Sequence, residues 1–165
     1  MGQKVFFNEV FCYNEKNVYV DKIMMIDIDK QTYEQLDTEI KKTHYNAKRY
    51  STVSTFGLLY FEGNLEEKML QEFMRLSDYF LKLNDNYYFL SFHHTDENGA
   101  IKAGENLIFN LDQYLGNKSS YIAVDRIDTT ESTRSTINRL YQILQEAKKH
   151  KNNRVEDENI LNELY

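Results

Sequence analysis

Two carboxylates spaced i, i+2 close an apolar run at Ile23-Met24-Met25-Ile26-Asp27-Ile28-Asp29, just ahead of a helix-like segment. Side chains at i and i+2 of a strand share a face. Asp27 and Asp29 therefore read as a pair able to hold Mg²⁺ or Mn²⁺, hard ions that favour oxygen ligands. Asp125 repeats the pattern at the end of another apolar run, with Asp128 close behind. If the two strand ends lie side by side, Asp27, Asp29 and Asp125 form an acidic cluster suited to phosphoryl transfer. His93 or His94 would then be its acid or base. The simpler reading has Asp29 and Asp128 capping the helices that follow them.

The Asp-x-Asp segment resembles the opening of the haloacid-dehalogenase-like phosphatases. Gln31 stands where that pattern has Thr or Val, and no later Asp-Asp pair follows in context, so that family is excluded. His93 and Thr95 resemble one of the two His-x-Thr elements of the two-histidine phosphoesterases. The chain has no second such element, since His44 is followed by Tyr45-Asn46. Strand alternation also sends His93 and His94 to opposite sides, so only one of them is expected in any pocket.

Cations cluster twice, as Lys41, Lys42, Lys48 and Arg49 and again as Lys148 and Lys149. With Tyr45 and Tyr50 they could contact phosphates and stack bases, although cations at helix C-termini are ordinary. No Gly-rich phosphate loop occurs among the six glycines, and the lone Cys12 lies in an apolar run with no zinc-ligand spacing around it. Ile160, Leu161, Leu164 and Tyr165 would line one side of a short terminal helix, a candidate surface for docking on a partner or on the domain itself.

The elements that must position these residues follow from periodicity. Strands are expected over 5–13, 18–28, 52–61, 87–94 and 120–125, the first two joined as a hairpin through 14–17. Helices are expected over 30–48, over 65–83 with Met69, Leu70, Phe73, Leu76, Phe80 and Leu83 inward, and from Asp128 to about 149. Residues 96–99 read as a turn, and 107–111 as a strand in preference to a short helix. The fold class expected is α+β: one domain over 1–150 and a polar, acidic tail over 151–165. Its sheet has about five or six mostly antiparallel strands, with three main helices packed largely on one face.

At 165 residues the chain can bury roughly 70% of the surface its unfolded form exposes. A net charge of −6 argues against a general nucleic-acid binder. No run is long enough for a membrane span and no signal-peptide h-region leads the chain, so a cytoplasmic protein is expected. The absence of proline, with many Asn, Lys, Ile and Tyr, suits an AT-rich bacterial, phage or plasmid source. Thirteen Tyr, an acidic surface and no complete catalytic constellation favour a small protein-binding factor. That means an inhibitor, immunity or regulatory protein facing a basic, nucleic-acid-acting partner, with no cofactor. The alternative is a metal-dependent phosphoesterase or nucleotide-acting enzyme using Mg or Mn at Asp27, Asp29 and Asp125. A nucleic-acid-binding module built on the basic helix ends stands third.

Overall fold

A computed structural model describes residues 24–150 and 153–162. In chain order the elements are α1 (Lys30–Tyr50), β1 (Ser54–Tyr60), α2 (Glu67–Phe73), β2 (Tyr79–Lys82) and β3 (Tyr87–His93). Then come α3 (Glu97–Leu115), β4 (Tyr121–Arg126), α4 (Thr133–His150), β5 (Val155–Glu156) and α5 (Asn159–Asn162). The five strands form one sheet in the order β2-β3-β1-β4-β5. All neighbours are antiparallel except β4 and β5. The α+β class and the mostly antiparallel sheet are as the sequence implies.

β1 lies at the centre because almost every residue of Ser54-Thr55-Phe56-Gly57-Leu58-Leu59-Tyr60 can be buried. Such a run on a strand means that both faces are covered. Phe56 and Leu58, with Phe89 and Ala123, lie under Leu36 and Ile40 of α1, Leu140 and Leu144 of α4, and Ile160 of α5. Leu59, Phe61, Tyr88, Leu90, Phe92, Ile122 and Val124 face the other way, under Leu70 of α2 and Leu107 and Leu111 of α3. Helices therefore cover both faces, which corrects the expected one-sided arrangement. Gly57 lets the strands meet: a Cβ there would sit 3.1 Å from the Phe92 ring and 3.3 Å from the Ala123 carbonyl oxygen.

Three segments depart from their sequence expectation. The stretch read as a turn and then a strand, 96–115, is one helix. Asp96 caps it by accepting from the Gly99 amide at 2.8 Å, and Gly116, at φ 70°, ends it. Its buried residues Ala100, Gly104, Leu107, Ile108 and Leu111 follow a helical period that the short run 107–111 conceals. The single helix expected over 65–83 breaks after Phe73, where Met74 turns extended, and Tyr79–Lys82 pairs with β3 instead. Between them Leu76 is fully exposed, although the helical period places it inward.

Residues 24–28, the described part of the strand expected over 18–28, pair with no strand. Met24, Ile26 and Ile28 are buried against the core in a segment that bends at Met25 and Ile26, and the Met25 amide donates to Asn138 on α4. The strand expected over 5–13 lies outside the described residues. Asp29 caps α1 by accepting from the Thr32 amide at 2.8 Å, as expected. Asp128 does not cap α4. It binds the amide and hydroxyl of Thr130, and the Ser132 hydroxyl accepts from the Ser135 amide at the helix start.

Beyond residue 150 the chain returns to the sheet. Arg154 donates to the Ser120 carbonyl at 2.9 Å and forks onto Asp112 at 2.8 and 2.5 Å, which aligns β5 beside β4. Among the described residues no helix is long and apolar enough to cross a membrane.

Candidate functional site

The three acids singled out first do not share a site. Asp29 caps α1, while the Asp27 carbonyl accepts from Asn84 in the β2–β3 turn. Asp125 sits opposite Phe56, toward the other end of the sheet, where Ser54 faces His93. There it meets two different acids: Glu97, Asp125 and Glu158 offer oxygens within 4.8 Å of one another. Arg139 already bridges two of them, with its Nε 2.7 Å from Asp125 and its Nη2 on Glu158. Hard oxygens suit Mg²⁺ or Mn²⁺, and Arg139 is the cation that pairs with two of these acids here. As it stands the cluster is an ion-pair network rather than a metal centre.

The network is electrostatically frustrated. Burial pushes the Asp125 carboxyl up to about 6 against the opposing pull of Arg139, and burial also raises Glu97 and Glu131. A carboxyl whose folded pKa exceeds its unfolded value of 3.8 binds its proton more tightly in the native state. Its contribution to stability is therefore present at low pH and lost as pH rises through about 6. We expect this loss to be on the order of 2 kcal/mol for Asp125, after allowance for screening at the rim. Asp125→Asn should flatten the slope, leaving the smaller part from Glu97 and Glu131. Urea unfolding at several pH values between 4 and 7 checks this, and an equal slope in wild type and variant would refute the assignment.

The histidines do come together. His93 ends β3 with its Nε2 3.2 Å from Glu39 Oε1, and His94 leaves the strand at φ 56°. That left-handed turn breaks the alternation, so both rings line one cavity of about 370 Å³ with Lys42, Asn46, Tyr50 and Thr52. The expectation that only one of them could occupy a pocket fails for this backbone reason.

The basic candidates split. Lys41 pairs with Asp37 at 2.7 Å and Lys42 with Glu39 at 3.4 Å, while Arg49 lies over the Tyr50 ring. Lys149 pairs with Glu146. The Lys148 amine sits 3.3 Å from the centre of the Tyr60 ring, at the sheet end opposite His93. Lys48 and Arg49 are exposed on the last turn of α1. The two clusters therefore do not make one basic face. In the terminal segment Ile160 is buried and Leu161 packs on the core; Leu164 and Tyr165 lie outside the described residues.

One arrangement was missed in the sequence. The turn after α2 brings Arg75 onto Asp78 through two parallel bonds of 2.9 Å, and Arg75 Nη2 also donates to the Thr95 hydroxyl at 2.8 Å. The Asp78 side chain is only 2% exposed, while that of Arg75 is half exposed. Its hydrogen bonds to Asp78 raise the Arg75 pKa, so the guanidinium stays charged. The pair opens on a cavity of about 300 Å³, walled by Phe73, Met74 and Phe92, with Lys102 and Asn106 from α3 at its edge. In a helix Arg and Asp three apart form an ordinary surface pair. Within the helix expected over 65–83 the pair therefore carried no signal.

Neither a family model nor a curated protein matches this chain. Solved structures do. The GGDEF domain of DgcB from Caulobacter crescentus, in complex with c-di-GMP, is similar at a TM-score of 0.63 and 10% identity, over 87% of this chain and 98% of that one. The active GGEEF domain of a diguanylate cyclase from Vibrio cholerae is similar at 0.60 and 13%, over 75% and 94%. The diguanylate cyclase SiaD from Pseudomonas aeruginosa, in complex with its activator SiaC, is similar at 0.62 and 13%, over 78% of this chain and 60% of that one.

This chain thus has the fold of GGDEF domains. That likeness overturns the expectation of a small inhibitor, immunity or regulatory protein of phage or accessory-gene type. The scaffold is one used by nucleotide cyclases, and of the sequence readings the nucleotide-acting alternative lies closer to it. The five residues that give those domains their name are missing here, since no two of the six glycines are adjacent.

Proposed function

We propose that this protein is a nucleotide-binding domain that takes a guanine nucleotide, with c-di-GMP the first candidate, at the Arg75–Asp78 pair. The observation that carries the reading is the guanidinium itself. Asp78 and Thr95 fix its Nε and Nη2, which leaves the two N–H groups of Nη1 to a ligand. A guanidinium nitrogen held in this way can donate to guanine O6 or N7, or to a phosphate oxygen. Asp78 is here a positioning residue: its buried carboxylate holds the fork and is itself shielded from the ligand. Phe73, Met74 and Phe92 supply apolar walls for a base, and Lys102 a second cation for phosphate.

Charge favours this cavity over the acidic one. Arg75 and Lys102 outweigh Asp78, whereas Asp125, Asp128, Glu131 and Glu158 outnumber Arg126 and Arg139. An anionic dinucleotide is drawn to the first and repelled by the second. The likeness to the DgcB domain, and to a GGDEF domain studied for its interaction with bis-(3′,5′)-cyclic di-GMP, supports the choice of ligand. The cavity has room for one guanylate half. Calorimetric titration with c-di-GMP should give a Kd of about 10 µM or tighter, with c-di-AMP at least ~10-fold weaker because adenine lacks O6. Absence of heat at about 100 µM c-di-GMP would sink the proposal.

A further inference from the structure

We infer that the cavity between the end of α1 and the end of β3 is a second, separate ligand site that takes a nucleoside monophosphate. Its polar groups come from two directions. Lys42 and Asn46 project from α1, while His93 and His94 close the far side at the end of β3. Glu39, buried on α1, holds His93 by Nε2 at 3.2 Å and so leaves the ring's Nδ1 for a ligand. Glu39 takes only one contact from the Lys42 ammonium, at 3.4 Å, and that group has three N–H donors. A phosphate monoester can accept from Lys42 and from the Thr52 hydroxyl, while His93 Nδ1, its Nε2–H given to Glu39, can accept from a ribose hydroxyl.

The other half of the site suits a base. Tyr50 is 63% exposed, with Arg49 over its ring, and forms a platform on which a heterocycle can stack. The last carbonyls of α1 lie at the same end and can accept from an exocyclic amine. Ser51 and His94 are the two non-glycine residues with left-handed backbone among those described, at φ 53° and 56°, and they flank this cavity. Such conformations concentrate at ligand sites. At about 370 Å³ the volume falls at the small-ligand end of the range for binding pockets and matches a mononucleotide.

AMP and inorganic phosphate are the probes. Titrating AMP into the protein should give a Kd below about 1 mM. Lys42→Ala and Tyr50→Ala, both at exposed positions, should each weaken it at least ~5-fold. Arg75→Lys should leave AMP binding unchanged, which separates this site from the one proposed above. Three results would overturn the inference: no AMP uptake at about 10 mM, AMP binding unaltered in both variants, or inorganic phosphate bound as tightly as AMP.

Discussion

Arg75→Lys should cost c-di-GMP binding about 30-fold or more while the protein stays folded. The variant keeps the positive charge but replaces a planar fork with a compact ammonium that cannot hold Asp78 by two parallel bonds and still present an edge to a ligand. A hydrogen bond from a charged donor is worth about 1.5–3 kcal/mol. Loss of the positioned guanidinium therefore removes about 2 kcal/mol or more, which sets the fold-change. Arg75→Ala is the poorer test, because it strips the counter-charge from a carboxylate that is 2% exposed and so threatens folding. Asp78→Asn should weaken binding without touching the ligand, since its role is to hold the guanidinium. Calorimetry of the three proteins, each with a thermal melt, is the measurement. Full affinity in Arg75→Lys would remove Arg75 from the site.

Phe89→Ala should lower stability by about 3–5 kcal/mol, the usual cost of truncating a buried phenyl ring. Phe89 is fully buried on β3 opposite Leu58, its ring 5.2 Å from that of Phe56, at the centre of the face covered by α1 and α4. Rigid strands on either side prevent collapse of the void. For a domain of this size the midpoint should fall by roughly 10 °C. Leu76→Ala is the internal control. Leu76 is completely exposed, and its change should stay within about 0.5 kcal/mol. Thermal and urea unfolding by circular dichroism compares the two. A Leu76→Ala loss approaching that of Phe89→Ala would refute the break between α2 and β2.

That contrast shows where periodicity stops being informative. Leu76 and Phe80 continue the apolar spacing of Met69, Leu70 and Phe73, so a single helix satisfies the local pattern. The edge of β3 offers Tyr79–Lys82 a full antiparallel ladder, and that long-range pairing outcompetes the helix. Likewise Leu107–Leu111 is too short to separate strand from helix by itself. Asp96, well before that run, and Gly116, shortly after it, settle it as the two caps of one helix.

Sequence alone determined what local physics controls: the Asp29 cap of α1, the amphipathic face of α4, the buried strands at 54–60, 87–93 and 121–126, and hence the α+β class. Apolar period and side-chain caps act over a few residues and can be read directly. Tertiary structure decided everything that depends on which ends of elements meet. It separated Asp27 and Asp29 from Asp125, joined His93 and His94 through one left-handed residue, and set Arg75 on Asp78. Carboxylates, imidazoles and guanidinium groups become a site through distances of a few ångströms, and those distances are set by chain pairings tens of residues apart.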